Sequence, residues 1–149
     1  MRIVAVPVKA LDRAKGRLAE VLQPLERAAL TLAMLEDVLD ASLAIPGWQT
    51  WVISPDEAVL EVSARRRARP VTEENPGLLS AIRQVEAEAD GADALAVVLG
   101  DLPLLTPESL GAVLRTVGPV VAAPSESDNG TNVLLRRPPA MISARFGTD

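Results

Sequence analysis

The chain has 149 residues, 15 Lys and Arg against 20 Asp and Glu, a net charge of −5, and no His, Cys or Tyr. Those absences exclude disulfides, Ser-His and Cys-His nucleophile pairs, imidazole general bases and His/Cys zinc sites, leaving oxygen ligands suited to Mg²⁺ or Ca²⁺. The acidic balance argues against a nucleic-acid partner, and no apolar run approaches the ~20 residues of a membrane span. The opening Met1 to Val8 is too short for a signal-peptide core, so a cytoplasmic protein without a membrane partner is expected. One domain over residues 1–149 is expected as well.

Ile3 to Val8 is a short, β-branched, nearly continuous apolar run, the pattern of a strand buried on both faces. A polar stretch, Lys9 to Arg17, follows it. Pro24 then opens a helix in which Leu25, Ala28, Leu32, Leu35, Leu39 and Leu43 recur at helical spacing, and Pro46-Gly47 closes it. Thr50 to Ser54 reads as a strand, and Pro55-Asp56 begins a short helix over Glu57 to Ala64. Pro76-Gly77 precedes a helix whose Leu78, Ile82, Val85 and Ala89 share one face. Ala94 to Leu99 is the strongest strand signal, and Thr106-Pro107-Glu108 caps a helix running to about Thr116. Val120 to Ala123 and Thr131 to Leu135 read as two further strands. The alternation predicts an α/β fold on a mostly parallel sheet.

Three clusters carry candidate chemistry. Lys9, Lys15 and Arg17 lie in the loop after the first strand, where open α/β sheets commonly bind phosphate; a solvated basic loop is the alternative. Gly100-Asp101 follows the best strand, where the carboxylate could hold Mg²⁺ or simply end a strand in a turn. Ser125 to Asn132 has turn chemistry that could expose backbone N–H groups, and otherwise reads as a surface turn. The basic run Arg65, Arg66, Arg67 and Arg69 reads as a solvated helix end rather than a polyanion site. Trp48 and Trp51 read as core or rim packing, and Met34 as core.

Taken in order, VPVKALDRAKGRLAEVL, AMLEDVLDA, GDLPLLTPESL, APSESDNGTNVLLRRPP and RFG resemble one family over nearly the whole chain. It is the guanylyltransferase family of coenzyme F-420 biosynthesis, acting on 2-phospho-L-lactate or phosphoenolpyruvate. The resemblance implies a Rossmann-like nucleotidyltransferase fold of the nucleotide-diphospho-sugar transferase type, three-layer α/β/α with a mixed, mostly parallel sheet. It implies joining of GMP from GTP to the phosphate of a three-carbon acid, with Mg²⁺ and release of pyrophosphate. Lys9, Lys15 and Arg17 match the triphosphate-contacting opening, Lys9, Lys15 and Asp101 the catalytic positions, and Asp101 the metal-binding aspartate. Gly77 matches a nucleotide-binding position, and Thr131 and Gly147 match positions that hold the acid substrate.

Two departures from the family stand out. Gly77-Leu78 is followed by Leu79 where the family has Asn, replacing an amide near the nucleotide by an alkyl group. Family members also run longer, so a C-terminal portion carrying a substrate-binding serine and a second acidic motif is expected to be missing. The rival readings are a related nucleotidyltransferase with another nucleotide or acceptor, and a truncated nucleotide-binding domain without catalysis. The opening lacks the Gly-rich loop of the molybdopterin branch. A homodimer is compatible with the fold.

Overall fold

A computed structural model describes residues 1–11, 24–99, 106–116, 120–124 and 131–136. In chain order the elements are β1 (Arg2–Pro7), α1 (Pro24–Leu43), β2 (Gln49–Ser54), α2 (Glu57–Arg65), β3 (Arg69–Thr72), α3 (Leu78–Glu88), β4 (Ala94–Val98), α4 (Pro107–Arg115), β5 (Val120–Pro124) and β6 (Thr131–Arg136). The strands form one six-stranded sheet in the order β3-β2-β1-β4-β6-β5. Pairings β1·β2, β1·β4 and β2·β3 are parallel, whereas β6 runs antiparallel to both β4 and β5. The expected mixed, mostly parallel sheet is thus observed.

The central strands are apolar throughout because both faces are covered. On one face Val4, Val6, Val52, Ala94, Ala96, Val98, Val133 and Leu135 pack beneath Leu35, Val38 and Leu39 of α1, Val59 of α2, and Leu110 and Leu114 of α4. On the other, Ile3, Ala5, Trp51, Ile53, Val71, Leu95 and Val97 meet Ala81, Ile82 and Val85 of α3. The result is three layers. The buried hydroxyls of Ser42 and Thr50 satisfy one another at 2.6 Å, joining the end of α1 to β2. No described helix is long and apolar enough to cross a membrane.

Several local readings are corrected. The strand β3, Arg69–Thr72, begins at the last residue of the basic run, where no strand is expected from sequence; three of its four side chains, Arg69, Pro70 and Thr72, are exposed, and the apolar signal reduces to Val71. Arg65 pairs with Glu61 one helical turn back at 2.8 Å, while Arg66 bridges α2 to Asp40 and Glu36 of α1. Arg69 lies 4.1 Å above the ring of Trp51, which is buried in the core. Met34 is half-buried rather than core. Leu25, expected on the apolar stripe of α1, is 82% exposed, and the stripe narrows to Leu35, Val38 and Leu39.

Deleting a buried leucine side chain costs lost transfer energy plus a cavity, whereas an exposed one costs neither. Leu39→Ala should therefore lower the unfolding free energy by about 2–5 kcal/mol, and Leu25→Ala should change it by less than about 0.5 kcal/mol. Urea denaturation of the two variants reads the difference directly.

Candidate functional site

The order of strands defines where a ligand can enter. The chain moves outward from β1 to β2 to β3 with α1 and α2 on one face, then returns to β4, on the far side of β1, by way of α3 on the other face. Between β1 and β4 the winding reverses. Open α/β sheets commonly bind ligands beyond the carboxyl ends of their strands near such a reversal; here the connections after β1 and β4 lead to α1 and α4, which pack on the same face of the sheet. The loop after β1 begins with Val8 and Lys9, and Asp101 follows β4 by three residues in sequence, so both candidate loops start from neighbouring strand ends at this edge.

The antiparallel β6 brings a third segment to the same edge. Val98, the last residue of β4, pairs with Val133 of β6, so Thr131, which opens β6, lies at the carboxyl edge of the parallel strands. A parallel sixth strand would have begun at the opposite end.

The loops at this edge are tied to one another through the end of β2. Val8 N–H donates to the Ile53 carbonyl at 2.9 Å, and Leu11 N–H to Asp56 Oδ2 at 2.9 Å. Exposed Lys9 lies between these two tethers. Asp56 is also the N-cap of α2, its Oδ1 accepting from Ala58 N–H at 3.0 Å. Its own N–H donates at 3.1 Å to Oγ of Ser54, a fully buried side chain. From the other side, Glu73 N–H donates to the Ser54 carbonyl at 3.0 Å.

The loop after β3 is clipped by α3. Gln84 donates to the Thr72 carbonyl at 2.8 Å and accepts from Glu74 N–H at 2.9 Å. Gly77 is the N-cap of α3 with φ +110 and ψ 148, a conformation almost confined to glycine. Nothing lies within 4 Å of where a Cβ would stand, so the requirement for glycine is conformational and not spatial. Partial burial raises the Glu73 carboxyl above its ordinary value by penalising the charged form.

Of the residues singled out from sequence, Lys9, Gly77 and Thr131 fall at this edge. Lys15, Arg17, Asp101 and Gly147 lie outside the described residues, as does most of the Ser125 to Asn132 turn. Among the described residues no group of three acidic side chains gathers to hold a metal. Sequence reasoning missed Asp56 and Gln84. The Ser-Pro-Asp-Glu order directly after an apolar strand was read only as a helix start, although at a sheet edge it also places a carboxylate among ligand-binding loops. Gln84 carried no signal, because its partners are backbone groups ten and twelve residues away.

A family model described as guanylyl transferase CofC like matches residues 1–148. The phosphoenolpyruvate guanylyltransferase of Rubrobacter xylanophilus is 40% identical over 147 residues, covering 95% of this chain and 72% of that protein. The phosphoenolpyruvate guanylyltransferase of Sphaerobacter thermophilus is 39% identical over 150 residues, covering 97% and 72% respectively. Among solved structures, a putative nucleotide-diphospho-sugar transferase from Desulfovibrio desulfuricans G20 superposes with a TM-score of 0.76 at 19% identity, covering 96% of this chain and 67% of that one. That likeness establishes the nucleotide-diphospho-sugar transferase fold.

Two outcomes test the local geometry. Gly77→Ala should lower stability by about 1–3 kcal/mol, the cost of forcing an L-residue into this region, as measured by urea unfolding. For Glu73 the raised carboxyl means that the folded state binds its proton more tightly than the unfolded chain. Stability from this group is present at low pH and is lost as pH rises through the raised value. Glu73→Gln should therefore melt above the wild type at pH 7, and the gap should close below about pH 4.

Proposed function

The chain belongs to the CofC-like guanylyl transferase family, and on that premise we propose that it transfers GMP from GTP to the phosphate of phosphoenolpyruvate or 2-phospho-L-lactate. The reaction would release pyrophosphate and serve the biosynthesis of coenzyme F-420. The observation that carries the reading is the family match over residues 1–148. The relatives named phosphoenolpyruvate guanylyltransferase and the winding reversal at the β1–β4 edge support it.

The chemistry suits a chain without His, Cys or Tyr. The acceptor phosphate is already an anionic nucleophile at neutral pH, so no general base is required. One of its oxygens forms a bond to the α-phosphorus of GTP as the bond to the β-phosphate oxygen breaks, and pyrophosphate leaves with that electron pair. The barrier is electrostatic, an anion approaching an anion. Lys9, Lys15 and Arg17, in the loop opening at the carboxyl edge, are proposed to neutralise the triphosphate and the departing pyrophosphate. The start of α3 at Gly77 is proposed to face the nucleotide, and Thr131 and Gly147 to orient the acid for in-line attack.

The donor set fits a hard divalent cation, since these elements offer carboxylates and no softer ligand. Asp101 would hold Mg²⁺ at the end of β4. Bound there, the ion would supply further neutralisation of phosphate charge. Leu79 is the second residue of α3 and is 44% exposed, so an alkyl group stands at the helix start where the family has an amide. A nucleotide panel reads its effect on guanine preference.

The test is pyrophosphate release with Mg²⁺ and GTP, in parallel with phosphoenolpyruvate, 2-phospho-L-lactate or no acceptor. Release dependent on one acid is the expected result and names the substrate. Silence in all arms while GTP still raises Tm identifies nucleotide binding without transfer, and silence without GTP binding overturns the reading. Asp101→Asn should lower kcat by on the order of 10³-fold while Tm stays close to that of the wild type.

A further inference from the structure

The two oxygens of Asp56 do different work. Oδ1 caps α2 through Ala58 N–H at 3.0 Å, and Oδ2 accepts Leu11 N–H at 2.9 Å from 45 residues away in sequence. A helix cap needs one acceptor, which Ser, Thr or Asn supplies equally well. Accepting at both oxygens needs a carboxylate, because the amide of Asn turns a donor toward one of the two N–H groups. The backbone that carries the carboxylate is held by the bond from the Asp56 amide N–H to buried Ser54 Oγ. It therefore acts as a fixed post.

We infer that Asp56 is a positioning residue for the transfer: it holds the segment Val8 to Leu11 so that Lys9 is presented to the triphosphate. The inference rests on the proposed nucleotidyl transfer. Lys9 stands two residues before the Leu11 tether and one after the Val8 tether, so its backbone has little freedom. With the Asp56 bond removed, the Val8 hydrogen bond and the apolar packing of Val8 and Leu11 remain, but the backbone after Lys9 loses its fixed anchor and the ammonium spends more time away from the triphosphate. Charge alone argues the opposite way, because an anion near a triphosphate site repels the ligand. Keeping a carboxylate there makes sense if the anchoring outweighs the repulsion, and the two effects predict opposite signs.

Asp56→Asn and Asp56→Ser both keep a cap for α2, but Asn faces Leu11 with a donor and Ser is too short to reach it. In both, KM for GTP should rise roughly 10- to 100-fold, the scale of displacing a catalytic contact by about an ångström. KM for the acid should not move. The Tm of Asp56→Asn should stay near the wild type, and amide hydrogen exchange should quicken at Leu11 but not at Ala58. A fall in KM for GTP on Asp56→Asn would overturn the inference, as charge removal alone would then decide. It is equally overturned if KM is unchanged, or if activity falls only in step with Tm. Wild-type protein that neither binds GTP nor releases pyrophosphate sinks the transfer reading together with this role. Wild-type turnover beside an unaltered Asp56→Asn sinks the role of Asp56 alone.

Discussion

β1 is buried on both faces and hydrogen-bonded on both sides, and the candidate site follows from that. Ile3 and Ala5 point to one layer, Val4 and Val6 to the other, with β2 and β4 as neighbours. Strand-crossover-strand connections keep one hand. Successive outward crossovers through α1 and α2 must therefore lie on one face, and the inward return through α3 on the other. The carboxyl ends of β1 and β4 are left adjacent at that reversal. The fold does not make the site catalytic; it sets the ends of β1 and β4 side by side, so that the loops after them begin next to one another.

β6 shows how one reversed strand adds to that edge. Its start is brought beside the end of β4, while its last residue, Arg136, is carried to the opposite end of the sheet. There Arg136 is 1% exposed and paired with Glu86 of α3 at 2.5 Å. A buried guanidinium without its carboxylate would be costly to the fold. The two ends of one strand thus differ: Thr131 begins it at the carboxyl edge of the parallel strands, and Arg136 ends it with a neutralised charge that locks the sheet to α3. Lys9 at the carboxyl edge is exposed, whereas this cation is committed to packing.

Much of the fold was legible because the signals were strong and local. The apolar runs of β1 and β4, the Pro-opened α1, and the Thr106 cap of α4 each declare themselves within a few residues; Thr106 caps α4 as expected, and Ser109 returns a bond to the Thr106 N–H that the sequence does not announce. β3 was illegible because an edge strand with exposed side chains has almost no periodicity to read. The stripe of α1 was read too wide, since spacing cannot tell that Leu25 extends beyond the sheet that would cover it. For the site, Lys9 is reached from its place after the first strand as well as through family resemblance, Gly77 and Thr131 through the resemblance, and the sheet order explains why all three lie at one edge. Asp56 and Gln84 escaped because what they bind is backbone, which has no sequence signature.

Those two residues disclose a common device. Loops at a sheet's carboxyl edge lose the ladder partners that strands enjoy, and their N–H groups must be satisfied or left to water. Here side chains at the helices of neighbouring connections take over: Asp56 at the cap of α2 holds Leu11 of the loop after β1, and Gln84 within α3 holds Thr72 and Glu74. Each bond is modest in net stability, about 1 kcal/mol, so the fold does not need them. Their larger effect is entropic. A loop held in place before the ligand arrives does not have to be ordered by binding, which otherwise costs about 1–2 kcal/mol for each backbone residue fixed. For a reaction whose difficulty is bringing two anions together, cations already in place are worth more than cations merely nearby.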